Sequence, residues 1–221
     1  MNRPASSIKP AFSGAPGPKL SVRQIAVIGV MTAVTCVLAP FSIPIGPVPI
    51  SLTNFAVYMS LYVLGMKEGT LSYLIYLLMG LAGVPVFSGF TNGPGKLFGP
   101  TGGYLVGFLP MAVLAGLVVD RFYGAKASRL PEGQLLSPEG PSSGGKNGMV
   151  AKAACMGGMA LGTAVCYILG TVWLAYQANL DWKAALFAGV VPFIPGDLAK
   201  IAVAALAGPK IRGRLVQAGL R

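Results

Sequence analysis

The sequence predicts an all-α membrane protein of six transmembrane helices with both termini cytoplasmic. Three observations carry that expectation. Hydrophobic residues make up 54% of the 221 and charged residues 10%, against roughly 25% charge in an ordinary soluble domain; the mean hydropathy is +0.68. The apolar residues fall in runs, and about 20 helical residues cross a hydrocarbon core. The basic residues also segregate. With the N-terminus inside, every Lys and Arg except Lys96, Lys183 and Lys200 falls on the cytoplasmic side, which is the bias that orients membrane proteins.

The elements follow in order. Residues 1–20 hold Pro4, Pro10, Pro16 and Pro18 among Arg3, Lys9 and Lys19 and read as a disordered cytoplasmic tail, without the apolar stretch and cleavage site of a signal peptide. Residues 21–119 hold four spans, near Val22–Pro40, Leu52–Met66, Thr70–Val84 and Thr101–Val119. The second and third are about 15 residues, roughly 22 Å at 1.5 Å per residue, and need a thinned bilayer or shielding by neighbours. Residues 120–149, with Arg121, Lys126, Arg129, Glu132, Glu139 and Lys146 among Gly, Pro and Ser, read as a flexible cytoplasmic loop. Gly140–Asn147 nearly spells a P-loop, but Asn147 replaces the Ser or Thr that binds magnesium and no strand precedes it. Residues 150–221 hold the fifth span, Lys152–Gln177, the sixth in the Ala184–Leu206 region, and a basic C-terminus. Pro195 favours a first helical turn, so the sixth helix starts near it and Trp182–Val191 forms a separate interfacial segment. All of this is one membrane domain.

The excess of 17 Lys and Arg over 6 Asp and Glu follows from the same loop bias. In a soluble chain a net charge of +11 points to nucleic acid, but no RNA-binding or zinc-finger pattern accompanies it; the expected surroundings are a lipid bilayer, with no nucleic acid. Cys36, Cys155 and Cys166 all lie in apolar runs, and the chain has no His. They form neither a disulfide framework nor a zinc site; no metal and no cofactor is expected.

The topology points helices two, four and six outward by their N-termini, where partial positive charge gathers. There the sequence turns irregular, over Pro40–Ser51, Pro85–Gly103 and Ala178–Gly196. Irregular backbone at membrane depth is tolerated only against protein or a cavity, so an outward-facing ligand pocket follows. Asp197 and Lys200 are the ionisable pair inside a span. Each costs about 2.5–3.5 kcal/mol at a helix centre, and at i and i+3 they partly neutralise each other. They are a structural ion pair or a ligand site, and ionisable residues in spans mark substrate or ion paths by default.

Asn92 and Lys96, in the Gly-rich Pro85–Gly103 loop, offer hydrogen bonds and positive charge. Tyr104, after Thr101-Gly-Gly, is a stacking ring or part of the interfacial aromatic belt. Ser51, Thr53 and Asn54 open helix two as caps, ligand contacts or both. Ala26, Gly29 and Ala33 form a small-residue seam on helix one against which another membrane helix packs. No catalytic constellation is present: there is no His, no paired set of carboxylates in a span and no Gly-x-Ser-x-Gly elbow. The chain is not expected to be an enzyme.

Four stretches together resemble one family. They are Pro47-Val-Pro-Ile-Ser51-Leu52, Gly80-Leu-Ala-Gly83-Val-Pro85-Val-Phe87, Gly99-Pro-Thr-Gly-Gly-Tyr104-Leu-Val-Gly107-Phe108 and Pro192-Phe-Ile-Pro-Gly-Asp197-Leu-Ala-Lys200. From about Val22 to Leu215 the chain resembles BioY, the biotin-binding S component of energy-coupling factor (ECF) transporters. The resemblance implies the ECF S-component fold, high-affinity capture of biotin from outside, and uptake across the cytoplasmic membrane of a prokaryote. It implies as partners a transmembrane coupling subunit, meeting the Ala26–Gly29–Ala33 seam, and two ATPase subunits. It maps the polar pocket onto Asp197 and Lys200, with the loop around Asn92 closing the site. Thr53-Asn54 stand where the family commonly has Gln-Thr.

Biotin's chemistry suits these residues: fused rings against Phe87, Phe90, Tyr104 and Trp173 or Tyr176, ureido N–H groups on Asp197, the ureido oxygen on Lys200 or an amide, and the carboxylate on Lys96 or a helix N-terminus. The competing reading is an autonomous ion-coupled vitamin carrier, in which Asp197 and Lys200 relay a proton or sodium ion.

Overall fold

The computed structural model describes residues 21–124 and 146–218. The expected tail 1–20, positions 125–145 of the expected loop 120–149, and most of the near-P-loop lie outside these residues. The described fold is predominantly helical: α1 (Val22–Leu38), a hairpin of β1 (Ser42–Ile45) and β2 (Val48–Ser51), α2 (Thr53–Leu64), α3 (Met66–Leu81), the short α4 (Pro94–Leu97), α5 (Gly102–Val119), α6 (Lys146–Ala178), α7 (Trp182–Gly189) and α8 (Ile194–Gln217).

The hairpin corrects the all-α expectation. Pro40–Ser51 is an antiparallel ladder pairing Ser42 with Ser51 through Ile45 with Val48. Gly46 sits at φ +73°, the first central position at which a two-residue hairpin turn with a positive first φ calls for glycine, and the fixed negative φ of Pro47 suits the second. With Ile45 and Val48 closing that turn by hydrogen bonds, the facing pair Pro44 and Pro49 falls where the strand needs no N–H donor.

Two boundaries also move. Met66–Gly69 belong to α3 rather than to a loop, because Gly65, at φ +87°, ends α2 with its N–H on Leu61 O at 2.9 Å and starts α3 directly. The expected loop 120–149 loses both ends: Asp120–Gly124 is a π-helical turn continuing α5, and Lys146–Gly148 open α6. α8 runs on to Gln217 through Pro209.

The most deeply buried element is α2, whose Ala56, Val57, Tyr58, Leu61 and Tyr62 are closed off from solvent. It packs against α8, α3, α1 and α5, while α5 and α6 form the most extensive helix pair. A satellite cluster of Ile28, Met31, Val63 and Leu64 joins α1 to the end of α2. The outer helix faces are apolar, with Val30, Val37, Leu117, Leu161, Ile168, Val172 and Leu206 exposed, as lipid contact requires.

Among the described residues, Gly102–Tyr123 and Gly148–Ala178 are long and apolar enough to cross a membrane. The pair α7 and α8, bent by 42°, supplies a third span if counted as one. Six spans are more than length and composition alone support. α1, α2 and α3 have 17, 12 and 16 residues, too short by themselves.

Candidate functional site

Three helix N-termini and the hairpin enclose one cleft. Thr53 and Asn54 are the first residues of α2, Tyr104 is in the first turn of α5, and Asp197 is in the first turn of α8. Val48, Pro49 and Ser51 of the hairpin close one side, and Phe108, Thr163, Cys166, Tyr167 and Phe193 line the interior. The cavity is about 60 Å³ and opens into a wider cleft of about 640 Å³ that includes solvent at its mouth.

The floor is ionic but internally balanced. Asp197 is 7% exposed. Its Oδ1 accepts from Lys200 Nζ at 3.0 Å, and its Oδ2 accepts from the Tyr167 hydroxyl at 2.6 Å. Lys200 Nζ donates a second bond to Ser51 O at 2.7 Å. A buried charge is tolerated when it is both paired and hydrogen-bonded, and both members meet that condition. What the floor offers a ligand is therefore an adjacent acceptor and donor with no net charge, a fit for a neutral polar head.

The Tyr104 hydroxyl is engaged within the fold. The hydroxyl donates to Gly189 O at 3.1 Å and lies 3.2 Å from Thr171 Oγ1, tying the end of α7 to α5 and α6. A Cβ at position 189 would collide with that hydroxyl, so glycine is what permits the contact.

Six of the sequence-derived candidates thus meet at the cleft: Ser51, Thr53, Asn54, Tyr104, Asp197 and Lys200. The others do not line it. Phe87 is 0% exposed: its ring fills the notch left by Gly80 on α3 and meets Tyr76 edge-on at 5.7 Å. Phe90, at φ +57°, is 61% exposed and edge-on to Phe41 at 5.8 Å. Asn92 is exposed. Lys96 is half-buried on α4, where desolvation lowers its ammonium pKa below the ordinary lysine value. Trp173 straps the loop instead, its Nε1–H donating to Gly99 O at 2.9 Å, and Tyr176 is exposed. Ser88 and Thr101, the two ends of this loop, do line the cleft.

Ala26, Gly29 and Ala33 are exposed together on one face of α1, and a Cβ at Gly29 would meet nothing within 4 Å.

Sequence reasoning missed Tyr167, Thr163, Phe108 and Phe193. A signal for the first two exists. Thr163, Cys166, Tyr167, Gly170 and Thr171 recur at helical spacing along the apolar α6, and a polar stripe on such a helix faces the interior.

Comparison with known proteins agrees across three kinds of match. A model of the BioY family matches residues 11–217. The chain is 37% identical over 191 residues to the biotin transporter BioY of Thermotoga maritima, a match covering 86% of this chain and 96% of that one. It is 31% identical over 185 residues to the biotin transporter BioY2 of Lactococcus lactis, covering 84% and 87%. A crystal structure at 2.1 Å of the S-component for biotin from an ECF-type ABC transporter aligns with a TM-score of 0.69 at 27% identity, covering 86% of this chain and 91% of that one.

Proposed function

The chain belongs to the BioY family, and on that premise we propose that the cleft is where it captures biotin, as the substrate-binding S component of an ECF transporter. The observation that carries this reading is the Asp197–Lys200 pair on the cleft floor. One edge of a cyclic urea presents an N–H beside a carbonyl oxygen. Asp197 accepts the N–H, and an N–H of Lys200 not used by Asp197 or Ser51 meets the carbonyl. The ion pair is already neutral, so this end of the site favours the urea over a carboxylate.

The apolar wall for the fused rings is Tyr104, Phe108, Tyr167 and Phe193, in place of Phe87 and Phe90. Thr53 and Asn54 stand beside the second ureido N–H. The acidic arm leads toward the mouth, where the loop between Ser88 and Thr101 carries Asn92 and Lys96.

The wider arrangement belongs to the same proposal. Six helices cross the cytoplasmic membrane of a prokaryote, with both termini inside and the cleft facing out. The exposed Ala26–Gly29–Ala33 face meets a transmembrane coupling subunit, and two ATPase subunits supply the energy. The basic residues at the ends of α3, α5 and α8 remote from the cleft support that orientation.

The test is calorimetric titration of biotin into the purified protein and its Asp197→Ala variant. Hydrogen bonds to charged groups contribute about 1.5–3 kcal/mol, so the variant loses roughly ten-fold or more in affinity. Unchanged affinity in a variant that elutes as the parent does overturns the assignment.

A further inference from the structure

Four groups form a continuous hydrogen-bonded line across the cleft floor. The Tyr167 hydroxyl of α6 reaches Asp197 Oδ2 at 2.6 Å, Lys200 reaches Asp197 Oδ1 at 3.0 Å, and Lys200 reaches Ser51 O at 2.7 Å. Three separate stretches of chain meet in that line: α6, the first two turns of α8, and the end of β2. Tyr167 is the uncharged side chain in that line, and the one side chain in it that comes from outside α8.

Its contribution is directional. Asp197 and Lys200 stand one helical turn apart, so nothing on α8 itself stops the carboxylate from turning both oxygens onto the ammonium. In that arrangement both oxygens spend their best acceptor directions on Lys200, and a ligand donor meets a carboxylate already engaged. Tyr167 takes Oδ2 from the other side and leaves Oδ1 to Lys200. Each carboxylate oxygen offers about two acceptor positions, so Oδ2 keeps one after the tyrosine bond. Tyr167 and Asp197 both line the cleft, within reach of a ligand held there. The hydroxyl of Tyr58, also on a facing helix, is engaged with Thr163, and Thr163 in turn donates to Met159 O; that pair is a separate unit.

Resting on the biotin reading, we propose that Tyr167 is a positioning residue that holds Asp197 Oδ2 toward a ureido N–H, and so sets the selectivity of the site for a cyclic urea over an isostere lacking that N–H. The ring supplies apolar wall whether or not the hydroxyl is present. The selectivity resides in one oxygen atom. A site built to hydrogen-bond a ligand N–H rejects the analogue without it, because its own polar group is then left unpaired.

The experiment compares the parent with Tyr167→Phe, which removes that oxygen and keeps the ring. Three ligands are titrated by calorimetry: biotin, and two lactam analogues in which one or the other ureido N–H is replaced by CH₂. The parent binds biotin roughly ten-fold or more tightly than the lactam lacking the N–H that meets Asp197. In Tyr167→Phe the affinity for biotin falls by a similar factor while that for this lactam stays within about two-fold, so the preference collapses. Equal weakening for all three ligands identifies a merely structural role and overturns the proposal. Undiminished biotin affinity in the variant overturns it as well, since Asp197 then needs no help. Failure of the parent itself to bind biotin is a different result: it overturns the biotin reading, and the proposal with it.

Discussion

Asp120 provides a test of how the end of the bundle remote from the cleft is held together. Its Oδ2 accepts from the N–H of Met66, the first residue of α3, at 2.9 Å. Its Oδ1 lies 4.0 Å from Arg212 Nη1 of α8. Arg212 is 5% exposed and also donates to Tyr62 O at 3.2 Å. One carboxylate thus serves as a helix cap and as a distant counter-ion, and two substitutions separate those roles. Asp120→Ala removes both, whereas Asp120→Asn keeps an oxygen for Met66 and removes the charge. Losing a cap costs about 0.5–2 kcal/mol. The ion pair is long at 4.0 Å and Arg212 keeps its bond to Tyr62 O without it, so its share is held to about 0–1 kcal/mol. Asp120→Ala is therefore expected to cost about 2 kcal/mol and Asp120→Asn less than about 1. In a chain of this size 1 kcal/mol corresponds to roughly 2–4 °C in Tm. Thermal melts in detergent, followed by the fluorescence of Trp173 and Trp182, should fall by roughly 4–8 °C for the alanine variant. The asparagine variant should stay within about 4 °C of the parent. Biotin affinity should not change in either. Equal drops in Tm for the two variants would refute the reasoning, because the charge and not the cap would then hold this end.

Tyr104→Phe removes the hydroxyl that joins Gly189 and Thr171. It should cost about 1–2 kcal/mol and increase hydrogen exchange selectively in α7, and uniform exchange across the bundle would contradict that link. Reconstituted alone in liposomes, the chain is expected to accumulate no biotin against a gradient. Accumulation driven by a proton or sodium gradient would favour the autonomous carrier instead.

The parts of the site legible in the sequence were those marked by charge or by a break in helical pattern. Asp197 and Lys200 stood out because ionisable side chains are costly in an apolar run, and the Pro195-Gly196 step signalled a new helix start there. Tyr167 carries no such mark; only the helical recurrence of Thr163, Cys166, Tyr167 and Thr171 along α6 distinguishes its face. Phe87 misled for the opposite reason. An aromatic beside a Gly-rich loop looks available to a ligand, yet Gly80, one residue without a side chain on the preceding helix, draws the ring into the core. The hairpin was written in the symmetric run Ile43-Pro-Ile45-Gly-Pro-Val48-Pro-Ile50. Its prolines read as breakers, because their harmlessness depends on a register that only the Gly46-Pro47 turn fixes.

The shortness of α2 explains why a cleft exists at all. Its 12 residues rise roughly 18 Å, whereas the 31 residues of Gly148–Ala178 rise roughly 46 Å at 1.5 Å per residue. A central helix that starts so late leaves the space above its N-terminus unfilled while its neighbours continue past. Loose backbone cannot fill that space, since unpaired amides are costly away from water. The hairpin can, because its backbone groups pair within the ladder and its prolines bring no donor to satisfy. The same late start presents Thr53 and Asn54 at the level of Asp197, and the last hairpin residue, Ser51, turns its carbonyl to Lys200. The binding chemistry and the span that looked too short are thus one feature: lengthening α2 by the roughly two turns that a span of about 20 residues requires would place helix where Ser51 now holds Lys200, and would remove the cleft.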